Sequence, residues 1–355
     1  MNKSKTTLFL SVLVLSLLVT ACSGAAPGSW PGLTVNQDSA FVAYASYVYS
    51  IKLSDGTLAW KYPAAASAAQ SFYAPPVLTP DGKQLLVGDY GTTLTSLDPT
   101  NGNMVWSFKD AKGRWIGSPL ATVDTIYAPN ADNSLYALDF QGKQKWKFTT
   151  KAALWAQPVT DGKVIYQASM DHFLYAIQPQ DGKQIWATNL GAAIVISPLL
   201  DSNGILYVGS LGNEVLAVQA SNGNILWRTA TTGAVWSQIV LNNGTLYAGD
   251  LSGAIYAISA DAGKILWQQE PGGVITGSLA VIPNGLVYGT DTGVLAAIDF
   301  KGNPLWSKTF NGKLYTSPVL QSDRIYIAIT GSTDNSLLVA LDTSGNQKWS
   351  FVPPK

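Results

Sequence analysis

Cysteine occurs once in these 355 residues, as Cys22, and histidine once, as His172. A lone cysteine excludes an internal disulfide framework. A lone histidine excludes a multi-histidine metal site. In the turn Ser169-Met170-Asp171-His172 it reads as a solvated loop side chain rather than the base of a nucleophilic site. Charge is sparse as well, at 12% of residues, with 22 basic and 22 acidic side chains. Setting aside Lys3 and Lys5 in the leader leaves 22 − 2 = 20 against 22, a net charge near −2. No polybasic surface for nucleic acid or an anionic bilayer follows from such a balance. Pairs such as Asn243-Gly244 and Asp81-Gly82 are turns, since the spaced carboxylates of a calcium-binding EF-hand loop are missing around them.

What the chain has in quantity is tryptophan, placed periodically. Trp60, Trp106, Trp146, Trp186, Trp227, Trp267, Trp306 and Trp349 each stand four residues after a glycine, at spacings of 46, 40, 40, 41, 40, 39 and 43. One unit of about forty residues is therefore written eight times. Each unit has the order seen around residues 197–227: a short run (Ser197-Pro198-Leu199-Leu200), a turn, a β-branched and aromatic run (Ile205-Leu206-Tyr207-Val208), a polar turn, a second run (Val215-Leu216-Ala217-Val218), and Gly223 leading to Trp227. Four strands and no helix per unit, repeated eight times, predict an all-β propeller of eight four-stranded antiparallel blades. At 47% hydrophobic, most strands must be covered on both faces, and no linker divides the repeat. The glycine supplies the positive φ that ends a tight hairpin, fixing the register of the outer strand on which the tryptophan lies.

The stretches Ala176 to Gly182 to Trp186, Ala217 to Gly223 to Trp227 and Ala257 to Gly263 to Trp267 resemble the tryptophan-docking motif of the pyrroloquinoline-quinone-type propeller repeat. That family includes quinoprotein dehydrogenases and envelope lipoproteins that assist outer-membrane β-barrel assembly. The likeness covers roughly residues 31–352, with the turn shortened by one residue before Trp146, Trp306 and Trp349, and with Ser50 and Ser96 in the alanine position of the first two units. The resemblance implies that the eight tryptophans staple blade to blade. It implies the quinone chemistry of the dehydrogenases only where paired cysteines, calcium and an aspartate base accompany it. The cysteine pair is missing here, so no cofactor is expected, pyrroloquinoline quinone included, and no metal.

The amino terminus carries a second signal. Lys3 and Lys5 precede an apolar run over residues 8–19 that is too short for a spanning helix, and Val19-Thr20-Ala21-Cys22 resembles a bacterial lipoprotein cleavage box. The expected organisation is a lipoprotein signal peptide over 1–21, a lipidated Cys22 with a flexible tether over 22–31, and a single propeller over 32–355. Ser23 stands where an inner-membrane retention aspartate would be. In a cell with an outer membrane, the protein is expected on that membrane, facing the periplasm.

Candidate contact residues follow from the loops. Before each innermost strand come bulky residues, among them Phe72, Tyr73, Arg114, Trp115, Trp155, Trp236 and Tyr315. These read either as packing around the funnel mouth or as an exposed surface for a partner, where Trp, Tyr and Arg are the usual anchors. An acidic residue recurs in the turn between the second and third strands, including Asp89, Asp171 and Asp250. It reads either as a backbone cap or as an acidic rim for a basic partner. The expected function is a non-catalytic, lipid-anchored scaffold for an envelope protein partner such as a β-barrel assembly component. A module stacking a sugar-like ligand, or a quinone-dependent oxidoreductase, stands as the alternative.

Overall fold

The computed structural model describes residues 30–67 and 70–354; the expected signal peptide and Cys22 lie outside the described residues. Thirty-two strands, β1 (Gly32–Val35) to β32 (Gln347–Phe351), form eight four-stranded sheets, each built from four consecutive strands. Every pairing within them is antiparallel, and no helix occurs among the described residues. The predicted eight-bladed propeller is thus the fold. Blade 1 spans residues 32–62 and blade 8 residues 319–351. No strand is exchanged between them.

The middle strands of each blade are buried along their length: Ser134–Leu138 and Ile126–Asn130 show only buried residues, whereas the outermost Gln144–Thr149 alternates exposed and covered positions. That is the pattern of sheets stacked face to face, where the inner strands have no solvent side. Eight apolar clusters fill the spaces between blades. The cluster joining Ala40, Val42 and Ile51 of blade 1 to Leu338, Ala340 and Phe351 of blade 8 closes the ring.

The repeated glycine and tryptophan meet across these joints. Each indole Nε1–H donates to a backbone carbonyl of the next blade: Trp60 to Pro99, Trp106 to Phe140, Trp146 to Pro179, Trp186 to Ala220, Trp227 to Ala260, Trp267 to Phe300, Trp306 to Thr343, and finally Trp349 to Leu53, at 2.8–3.2 Å. The ring lies flat on the next blade's glycine. A Cβ added to Gly142 would sit 2.5 Å from Trp106 Cε3 while φ there is +78°. Glycine is therefore required twice over, by the left-handed turn and by the ring against it. Within its own blade each tryptophan pairs with a small residue, Ser50 with Trp60 or Ala217 with Trp227, and a bulge follows at once.

Tyrosines line the same joints, and burial holds their hydroxyls protonated. Tyr49, Tyr166 and Tyr207 are pushed up to about 12, chiefly by desolvation, with nearby tyrosines adding for Tyr49 and the charges of Asp161 and Asp201 for the others. An unfolded chain ionises its tyrosines near about 10. Their contribution is complete below that pH and is lost as pH rises toward about 12. Melting curves from pH 8 upward should fall steeply across this window, with the tyrosinate absorbance of Tyr49, Tyr166 and Tyr207 appearing only on unfolding; flat melting through it would contradict the assignment.

Candidate functional site

The chain enters each blade on one face of the ring, and the residues just before the innermost strand alternate in direction, as extended chain requires. The first of each bulky pair turns between blades and the second turns to the axis. Leu154, Val235 and Leu314 are buried, while Trp155, Trp236 and Tyr315 line a central cavity of about 470 Å³. Tyr73, Ile116, Val195 and Thr276 occupy the same position in four other blades, and Trp30 occupies it in blade 1. The equivalence is one of register: Trp30 precedes Thr34, which pairs with Phe41, just as Tyr315 precedes Val319, which pairs with Tyr326.

The aromatic rings form two groups at this mouth. Trp30 packs on Tyr315 with centroids 5.2 Å apart and meets Trp236 edge-on at 6.3 Å; Trp236 in turn meets Trp155 at 6.4 Å and 66°. Across the mouth Tyr73 stacks on Tyr90 at 3.9 Å, and the Arg114 guanidinium lies 4.9 Å over the Tyr90 ring. Tyr90 is held protonated above the usual range, first by burial and then by Tyr73, against the pull of Arg114. Trp155 Nε1 is buried without a hydrogen-bond partner.

Several expectations need correction. Trp115 is 1% exposed and is no part of the mouth. It is the first of its pair, packs against Phe108 and Tyr136, and fits over Gly88, where a Cβ would lie 2.3 Å from its own. Phe72 is likewise buried, bridging Ala45 and Asp89. The acidic rim also fails at Asp89 and Asp250, both buried. Asp250 accepts from the amides of Gly233, Ser252 and Ala254 and from the Tyr256 hydroxyl, so its charge is consumed in holding the incoming loop to the turn. Asp89 accepts from Thr93 N, and burial pushes its carboxyl upward. Asp171 is half-buried and bonded to Lys151 N and Tyr175 Oη. Trp30 and Pro31, expected in the tether, are seated in the ring: Pro31 is buried and its carbonyl accepts from Thr316 Oγ1. Asp250→Ala should cost about 3 kcal/mol by orphaning these donors, read as a lowered unfolding midpoint; an unchanged midpoint would refute the capping role.

The chemistry open to this mouth is apolar contact and stacking. Pyrroloquinoline quinone bears three carboxylates and needs cations around it. No charged side chain lines the cavity among the described residues, so the residues present do not fit that group. Nor do three or more His, Cys, Asp or Glu gather in a metal-binding group among them.

Fold and site together define a tryptophan-docked propeller with an aromatic funnel mouth. The chain belongs to the family whose model is described as "Outer membrane protein assembly factor BamB", which matches residues 20–155, 131–204, 200–273 and 251–354. It is 29% identical to the BamB protein of Burkholderia pseudomallei over 168 residues, 46% of this chain and 42% of that one. It is 31% identical over 167 residues to a tetrathionate hydrolase of Acidithiobacillus ferrooxidans, covering 39% of this chain and 34% of the relative. Each alignment thus spans less than half of the curated relative. The crystal structure of BamB from Moraxella catarrhalis superimposes with a TM-score of 0.72 at 16% identity, covering 86% of this chain and 95% of that one, a likeness of fold alone.

Proposed function

We propose that this protein is a non-catalytic propeller scaffold, anchored by lipid at Cys22 to the outer membrane and facing the periplasm, that captures a protein partner during outer-membrane protein assembly. The observation that carries the reading is the funnel mouth: within a family described by that assembly role, four large rings, Trp30, Trp155, Trp236 and Tyr315, stand together and partly open on a rigid ring. Aromatic anchors grouped at the centre of a surface are where interfaces concentrate their energy. Crosslinking and pull-down from native membranes tests it: recovery of a β-barrel assembly component supports the proposal, and its consistent absence refutes it.

A second reading has its own support. A cavity of about 470 Å³ lies within the range of small-molecule sites, and the tryptophan and tyrosine rings that line it suit stacking of a sugar-like ligand. Saturable quenching of tryptophan fluorescence by a sugar, lost in Trp236→Ala, would favour it.

The anchor is tested separately. Cys22→Ser is expected to release an exported, soluble protein from the membrane fraction; retention of that variant on membranes would rule out lipidation as the attachment.

A further inference from the structure

The position of Trp30 fixes where the amino-terminal segment joins the body. Its ring lines the central cavity, and Pro31 behind it is buried, so the preceding chain joins the propeller at the funnel mouth and not at the rim. Eight residue steps separate Trp30 from Cys22. At an upper limit of roughly 3.6 Å per residue, those steps reach at most about 29 Å.

That reach is short compared with the body. Three strand spacings of about 4.8 Å put a blade's outer strand roughly 14 Å from its innermost one, and a five-residue strand spans about 17 Å between the two faces. A segment leaving the mouth for the opposite face must cover both, roughly 31 Å, before it meets anything beyond. The tether cannot do so. From the mouth outward, the same length is ample.

We propose that the funnel face is the membrane-facing side of the propeller. This rests on the lipid-anchor reading of Cys22. With that residue in the bilayer, the mouth is held opposite the phospholipid headgroups, and the turns between first and second strands, such as Asp161-Gly162-Lys163, point away. Trp30, Trp236 and Tyr315, amphipathic rings suited to a boundary between apolar and wet surroundings, rest at headgroup level when no protein occupies the mouth. A partner that takes the mouth therefore does so at the membrane, displacing lipid contact.

Lys151 and Lys163 are exposed residues of a single blade and its entry loop, on opposite faces, so they report height with little else changed. Lys151→Cys and Lys163→Cys are introduced singly into the full chain, purified lipidated from membranes, labelled with a donor dye, and reconstituted into phosphatidylethanolamine and phosphatidylglycerol vesicles carrying a headgroup acceptor. A lipidated Cys22 has no free thiol, so only the introduced cysteine reacts. Energy transfer from position 151 should exceed that from 163 several-fold. Equal or reversed transfer with Cys22 lipidated overturns the orientation alone. An unmodified Cys22 thiol in the mass of the purified protein overturns the anchor reading and the orientation with it.

Discussion

Trp186→Ala and Trp267→Ala are each expected to lower the stability of the ring by about 3 kcal/mol, the low end for truncating a large aromatic, because both rings are only partly buried. The loss is concentrated at the joint. Each change empties the space over Gly223 or Gly302, removes the indole donor, and leaves the carbonyl of Ala220 or Phe300 without its partner. Denaturant midpoints of the two variants check the expectation, and wild-type-like unfolding of both would remove these residues from the joints. Gly142→Ala approaches the same joint from the other side. It should be comparably severe, because the added methyl meets Trp106 and the backbone at +78° resists it.

The second large effect belongs to the mouth. Replacing Trp155, Trp236 and Tyr315 together by alanine should weaken capture of the partner by 100-fold or more, since even one anchoring ring is commonly worth about 2 kcal/mol at an interface. Each single change should cost less stability than a docking tryptophan, because a docking indole also donates to the next blade's carbonyl whereas Trp155 Nε1 makes no hydrogen bond. Trp115→Ala is the control: it should destabilise the fold and leave binding by the folded fraction intact. Affinity measured on purified partner separates the two, and unchanged capture by the triple variant would return the rings to simple packing.

The sequence disclosed the blades and their joints because one constraint was written eight times. Gly223 and Trp227 are separated by the same distance as Gly263 and Trp267, and a turn that needs glycine is visible wherever it recurs. Direction was harder. Trp115 and Trp155 look alike as bulky loop residues, yet one is the first and the other the second of its pair, and alternation in extended chain sends them opposite ways. The signal was present in register, not in side-chain type. Trp30 was concealed by composition: it follows a run of small residues with one proline that reads as tether, although its distance to Thr34 matches that of Tyr315 to Val319. The buried carboxylates were ambiguous for a related reason. Asp250 has the sequence context of a surface turn, and only the loop folded onto it removes the solvent.

An open stack of repeats loses structure from its ends, where the last unit has a neighbour on one side only. Here the bond from Trp349 to Leu53 gives blade 8 the same kind of joint as every other blade. Fraying has no place to begin, and one failed joint only converts the ring to an open arc in which each blade still has a neighbour. Two joints must fail before a blade is freed, so thermal loss of the whole molecule should be abrupt, while damage confined to a single joint is borne locally.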